Sequence, residues 1–143
     1  MNENDFILGD YLYVDDWGSQ NLAKVTALAK NEITVEYCGD AHKTETFNLK
    51  QYNPRIQKLI MSKMQMDIFR VEPDVDIALT NGMKYKYHFL GKKHTVTLTL
   101  KEGLNPDAKV KIDNNMEFEI AYVHELQHIM WIAGLNLNVF IYG

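Results

Sequence analysis

Residues 84–101 read KYKYHFLGKKHTVTLTLK, two runs of apolar/polar alternation, 84–89 and 95–101, separated by Leu90-Gly91-Lys92-Lys93-His94. Side chains along a strand point alternately to opposite faces. Pairing Lys84–Leu90 with Lys93–Lys101 therefore gathers Tyr85, Tyr87 and Phe89 on one face with Val96, Leu98 and Leu100. Lys84, Lys86, His88, Thr95, Thr97 and Thr99 fall on the other. Gly91-Lys92 is the expected tight turn, with the glycine supplying a positive φ. An antiparallel sheet is the frame this stretch imposes, and it extends downstream. Lys109–Ile112 and Met116–Glu119 flank the turn residues Asp113-Asn114-Asn115.

Upstream the same reading gives four short strands, Leu8–Val14, Leu22–Lys30, Glu32–Cys38 and Thr44–Leu49, with turn-rich breaks between them. In the third, Ile33, Val35 and Tyr37 share one face and Glu32, Thr34 and Glu36 the other. Such short, closely spaced strands are expected to curl into a small, partly open barrel of the Src-homology-3-like kind. Asn53-Pro54 then breaks the chain, and proline at a first helical position predicts a helix from Arg55 to about Met64, with Ile56, Leu59, Ile60 and Met64 at helical spacing. Residues 65–71 fit a strand or a helix end equally well. A second helix is expected over Ile120–Ala133, stopped by Gly134, and the alternation in Leu135–Tyr142 predicts a last strand. The fold class is α+β: a β-barrel module over 1–52 and an α+β module over 53–143, sharing one compact unit.

The chain has 143 residues, 46% hydrophobic and 24% charged, with a formal charge of −4. This composition belongs to a globular protein, and the negative balance disfavours nucleic acid as a partner. The first twenty residues carry Glu3, Asp5, Asp10, Asp15 and Asp16 and no lysine or arginine, while Lys84, Lys86, Lys92, Lys93 and Lys101 form a basic middle. The single cysteine, Cys38, permits no internal disulfide and fits a reducing compartment. With no leader-like start and no run of about 20 apolar residues, a cytoplasmic protein without a membrane partner is expected.

His124-Glu125-Leu126-Gln127-His128 matches the helix on which two histidines bind zinc and a glutamate polarises the bound water. A catalytic zinc needs a third protein ligand. None follows His128, so it would have to come from upstream: His42, His88, His94, Asp113 or Glu119. The helical wheel offers another reading. Tyr122, Val123, Leu126, Ile129, Met130 and Ala133 make one apolar stripe, leaving His124, Gln127, His128 and Trp131 on the other side as a contact surface for a partner protein. On that reading no cofactor is required. On the alternative reading zinc is held by His124 and His128, with Glu125 as general base.

Tyr122-Val123-His124-Glu125-Leu126-Gln127, with Trp131 and Gly134 after it, resembles the C-terminal helix of a group of small uncharacterised Bacteroidetes and phage proteins. Leu8-Gly9-Asp10-Tyr11-Leu12, Lys24-Val25-Thr26 and Asn53-Pro54 are similar to that group's N-terminal barrel and connector, whereas 61–110 matches weakly. In the group, Asn typically stands at the position of His128 and Gln often at that of Glu125. The resemblance thus implies a structural helix rather than a zinc site, and it carries no activity. The acidic pair that commonly follows the glycine is missing here.

A third possibility, a nucleic-acid module built on Lys84, Lys86, Lys92 and Lys93, needs aromatic rings and lysines on one surface. Strand alternation separates them. Cys38 has no evident catalytic partner, and the glycines form no phosphate loop. The sequence favours a non-enzymatic binding or adaptor protein; the identity of its protein partner and its oligomeric state are not encoded in any motif.

Overall fold

The structure, a computed structural model, describes residues 1, 3–39 and 43–135. The architecture is α+β. Two five-stranded antiparallel sheets are formed, and the chain divides into two compact units, Met1–Leu59 and Ile60–Gly143.

The first unit opens with a single 3-10 turn, Glu3–Asp5, and continues as β1 (Tyr11–Asp16), β2 (Ser19–Ala29), β3 (Glu32–Tyr37), β4 (Thr44–Asn48) and β5 (Ile56–Lys58). Strand order is β4-β3-β2-β1-β5. Trp17 and Gly18 join β1 to β2 with φ of 53° and 85°, two consecutive left-handed residues of the kind that a two-residue hairpin requires. In β2 the register slips between Val25 and Ala27, a bulge of the kind that bends a strand and increases its local twist. The alternation expected for β3 holds: Ile33, Val35 and Tyr37 are buried and join Phe6, Leu12, Val14, Val25, Phe47, Leu49 and Ile56 in one core. Each fully buried large side chain contributes roughly 1.5–3 kcal/mol. Among the described residues β4 and β5 are not hydrogen-bonded to each other, so the five strands form an open sheet and not a closed barrel.

A helix over Arg55–Met64 is not what forms. Asn53 Oδ1 accepts from the Arg55 N–H at 3.1 Å, and the Ile56 N–H reaches Asn53 O at 3.3 Å. Asn53-Pro54 is therefore a turn, after which Ile56 and Lys58 pair with Val14 and Leu12. Local propensity loses here to a sheet edge with Leu12 and Val14 to cover. Residues 53–59 consequently belong with the first unit. The helix begins later, in the second unit, where Ser62 Oγ accepts from Gln65 N at 3.2 Å and α1 covers Lys63–Ile68. Met66 is fully buried, while Ile60 and Met64 are exposed.

The second unit contains β6 (Val75–Leu79), β7 (Gly82–Leu90), β8 (Thr95–Gly103), β9 (Asp107–Ile112), β10 (Phe118–Glu119) and α2 (Val123–Ile132), with strand order β10-β9-β8-β7-β6. Register places Tyr85, Tyr87 and Phe89 opposite Leu100, Leu98 and Val96. All of these but Tyr85 are buried, as the alternation requires. The β7–β8 connection differs from the expected turn. It spans Gly91 to His94, closed by Gly91 N to His94 O at 2.9 Å, and Gly91 does not have a positive φ. Glycine serves here for space, since a Cβ would meet His94 O and the Leu135 side chain, each at 2.8 Å. Asp113 pins the loop by accepting from Thr95 N at 2.9 Å and pairing with His94 Nδ1 at 2.7 Å.

Before α2 the chain runs extended, with Ile120 N donating to Ala108 O at 3.0 Å and Ile60 bridged to Tyr122. The helix therefore starts at Val123 rather than Ile120. Gly134, at φ 77°, ends it as expected. Of the final strand expected over 135–142, only Leu135 lies within the described residues.

Candidate functional site

The HELQH segment forms the first two turns of α2, and Tyr122 caps it with an extended backbone (φ −127°, ψ 151°). The first N–H groups of a helix lack partners inside it. Glu125 turns back over that end, and its Oε1 accepts from Ala121 N and Tyr122 N, each at 3.0 Å. This is the return half of a capping box, and the carboxylate also opposes the positive end of the helix dipole.

The two histidines are adjacent, their ring centroids 5.4 Å apart and edge to face. The His124 ring also stacks on Tyr122 at 5.7 Å. Burial corrects the wheel reading: His124 is 4% exposed and Gln127 1%. The buried face of α2 is Val123, His124, Leu126, Gln127 and Met130, so these two polar residues sit in the stripe and Ile129 at its margin. His128 is half-buried. Trp131 remains outside at 61% exposure, with Ile132 beside it at 72%. Of the four residues placed on one surface, only Trp131 is fully at it.

Three of the upstream candidates, His88, His94 and Asp113, have partners elsewhere. His88 Nδ1 pairs with Asp74 at 3.3 Å and His94 with Asp113 at 2.7 Å. The Asp113 carboxyl is held below its ordinary range, first by the His94 hydrogen bond and then by Thr95 N–H. Glu119 is the backbone register partner of Lys109 across β10 and β9 and is exposed, and His42 lies outside the described residues. Among the described residues no group of three His, Cys, Asp or Glu is placed to hold a metal.

Lys84 and Lys86 stand on the sheet face away from Tyr87 and Phe89, as alternation requires. Lys84 lies directly opposite Lys101, while Lys92 and Lys93 are exposed in the loop. Rings and lysines thus occupy different surfaces. Cys38 is half-buried, and burial pushes its thiol up to about 11, so at neutral pH it is a thiol and not a nucleophile.

Trp17, which the sequence reading did not single out, is the most exposed large apolar side chain described, at 103%. It lines a cleft of about 430 Å³ together with Asp15, Asp16, Pro54 and Arg55. Arg55 is held among acidic partners. Its guanidinium reaches Asp16 at 2.6 Å, Glu45 at 3.0 Å and the Asp15 carbonyl at 3.3 Å, over the Phe47 ring at 5.1 Å. The signal available in the sequence was a tryptophan before Gly18 in a two-residue turn, where Asn or Asp is the ordinary choice.

No family model, no curated protein and no solved structure matches the chain. No helix of the described residues is long and apolar enough to cross a membrane.

Proposed function

We propose that this chain is a non-enzymatic binding or adaptor protein whose tryptophans anchor a partner protein. The observation that carries this reading is that both tryptophans of the sequence lie at the surface, Trp17 at 103% and Trp131 at 61% exposure. Tryptophan is highly buried on average and dominates interface hot spots. Trp17 moreover holds a left-handed backbone at φ 53°, a conformation that costs a bulky residue about 1 kcal/mol or more. A side chain kept there against its own backbone preference is best accounted for by what it touches in a complex.

The first unit is read as Src-homology-3-like, supported by the return of β5 beside β1 at the end of a four-strand meander. A cytoplasmic setting rests on the lone Cys38, and association with phages or mobile elements rests on the family resemblance alone. The zinc-hydrolase reading is weakened by α2 itself. Its would-be general base, Glu125, is occupied at the helix start, and His124 is buried.

Crosslinking and co-purification from the native host test the proposal. Wild-type bait is expected to retain a defined protein that is lost with Trp17→Ser, Trp131→Ser or both. Retention of the same protein by the double variant, or no specific partner at saturating bait, would overturn it.

A further inference from the structure

Among the described residues strand β6 ends its sheet, and all five of its residues, Val75–Leu79, are exposed. Val75, Ile77 and Leu79 retain 41%, 41% and 37% exposure and lie on one face, opposite Lys86, Lys84 and Gly82 of β7. An edge strand offers its outer N–H and C=O groups to any further strand. The usual guards are missing from this one: it holds no lysine, arginine or proline, and its only charge is Asp76.

We propose that β6 pairs antiparallel with β6 of a second copy of this chain, about a two-fold axis through Ile77. The sequence Val75-Asp76-Ile77-Ala78-Leu79 is complementary to its own reverse. In that register Val75 faces the second copy's Leu79, Ile77 faces Ile77, and Asp76 faces Ala78, so the seam is wholly apolar on one face and without a like-charge pair on the other. Centring the pairing on Asp76 instead sets two carboxylates directly opposite, which is unfavourable. A slip of one residue turns the apolar row to the other face. The nearest lysines of the two copies, on the β7 strands, are separated by three strand spacings, roughly 14 Å, beyond the ~8 Å Debye length at physiological salt.

The assembly closes at two copies. An isologous contact uses the same patch on both partners, and the far edge of the sheet, β10, has only two residues, Phe118 and Glu119, too short to template another copy. A seam this short falls below the ~1,200 Å² of a stable interface, which sets the dimer in the weak range of roughly 10–100 µM.

Sedimentation equilibrium of the full chain from about 5 to about 500 µM spans that range, and a reversible monomer–dimer equilibrium is expected. Ile77→Lys should abolish it with an unchanged circular dichroism spectrum, and Ile77→Thr should weaken it. In a Cys38→Ser background, Ile77→Cys should form a disulfide-linked dimer on mild oxidation far faster than Met116→Cys, an exposed control away from β6. A wild-type chain that stays monomeric throughout overturns the proposal. So does a dimer untouched by Ile77→Lys, or equal crosslinking of the two cysteine variants.

Discussion

The two sheets share a strand count and an antiparallel plan but end differently. In the first unit one margin is β5, three residues long, whose Ile56 is 4% exposed. The other is β4, where Phe47 is buried and the remaining residues are Thr44, Glu45, Thr46 and Asn48, with Glu45 tied to Arg55. In the second unit β10 is cut to two residues, whereas β6 shows all five of its side chains to solvent. Short or polar edges resist further pairing, and an open apolar edge invites it. Two units of one chain can thus share a sheet plan and still differ in whether they stop at their own margin.

The largest effect that sharpens this contrast comes from placing the same substitution on each margin. Ile56→Lys puts a cation where a buried side chain pairs β5 with β1 and should cost about 3 kcal/mol or more in urea unfolding. Ile77→Lys, at an exposed position, should stay within about 0.5 kcal/mol of wild type. Similar losses at the two sites would break the contrast.

A smaller effect concerns how the second unit starts its helix. Glu125→Ala removes the acceptor of two N–H groups and should cost about 1 kcal/mol, with Glu125→Gln retaining part of it. A null result in thermal unfolding would mean that water satisfies that end equally well.

The smallest effect is a rate in the first unit. With its thiol raised from 9.0 to about 11, Cys38 carries roughly a hundredth of the thiolate of an unfolded chain at pH 8, so iodoacetamide should react one to two orders of magnitude more slowly before urea than after. The sign for stability follows. The fold favours the protonated thiol, so that contribution is complete below pH 9 and is lost as pH rises from 9 to about 11. Equal rates in the folded and unfolded chains would place the thiol in open water.

What the sequence made legible was the part that local pattern controls. Alternation in 84–101 set the faces of β7 and β8, alternation in 32–37 set β3, and Gly134 marked the end of α2. What escaped depends on partners distant along the chain. β5 is a strand because Leu12 and Val14 lie across from it, and nothing within Ile56–Lys58 announces that. His124 and Gln127 look polar on a helical wheel, yet tertiary burial widens the inward face to include them. The HELQH string survives as a helix, but its glutamate answers to the helix end, a role that a pattern written for metal ligands does not contain.

The surface position of both indoles has a spectroscopic consequence. Tryptophan in water emits at long wavelength whether the chain is folded or not, so the native protein should already fluoresce much as a denatured one does, and circular dichroism will follow unfolding better. The same two side chains then serve as built-in reporters of association: a blue shift on mixing marks the moment an indole leaves water, and single-tryptophan variants tell which unit has been covered.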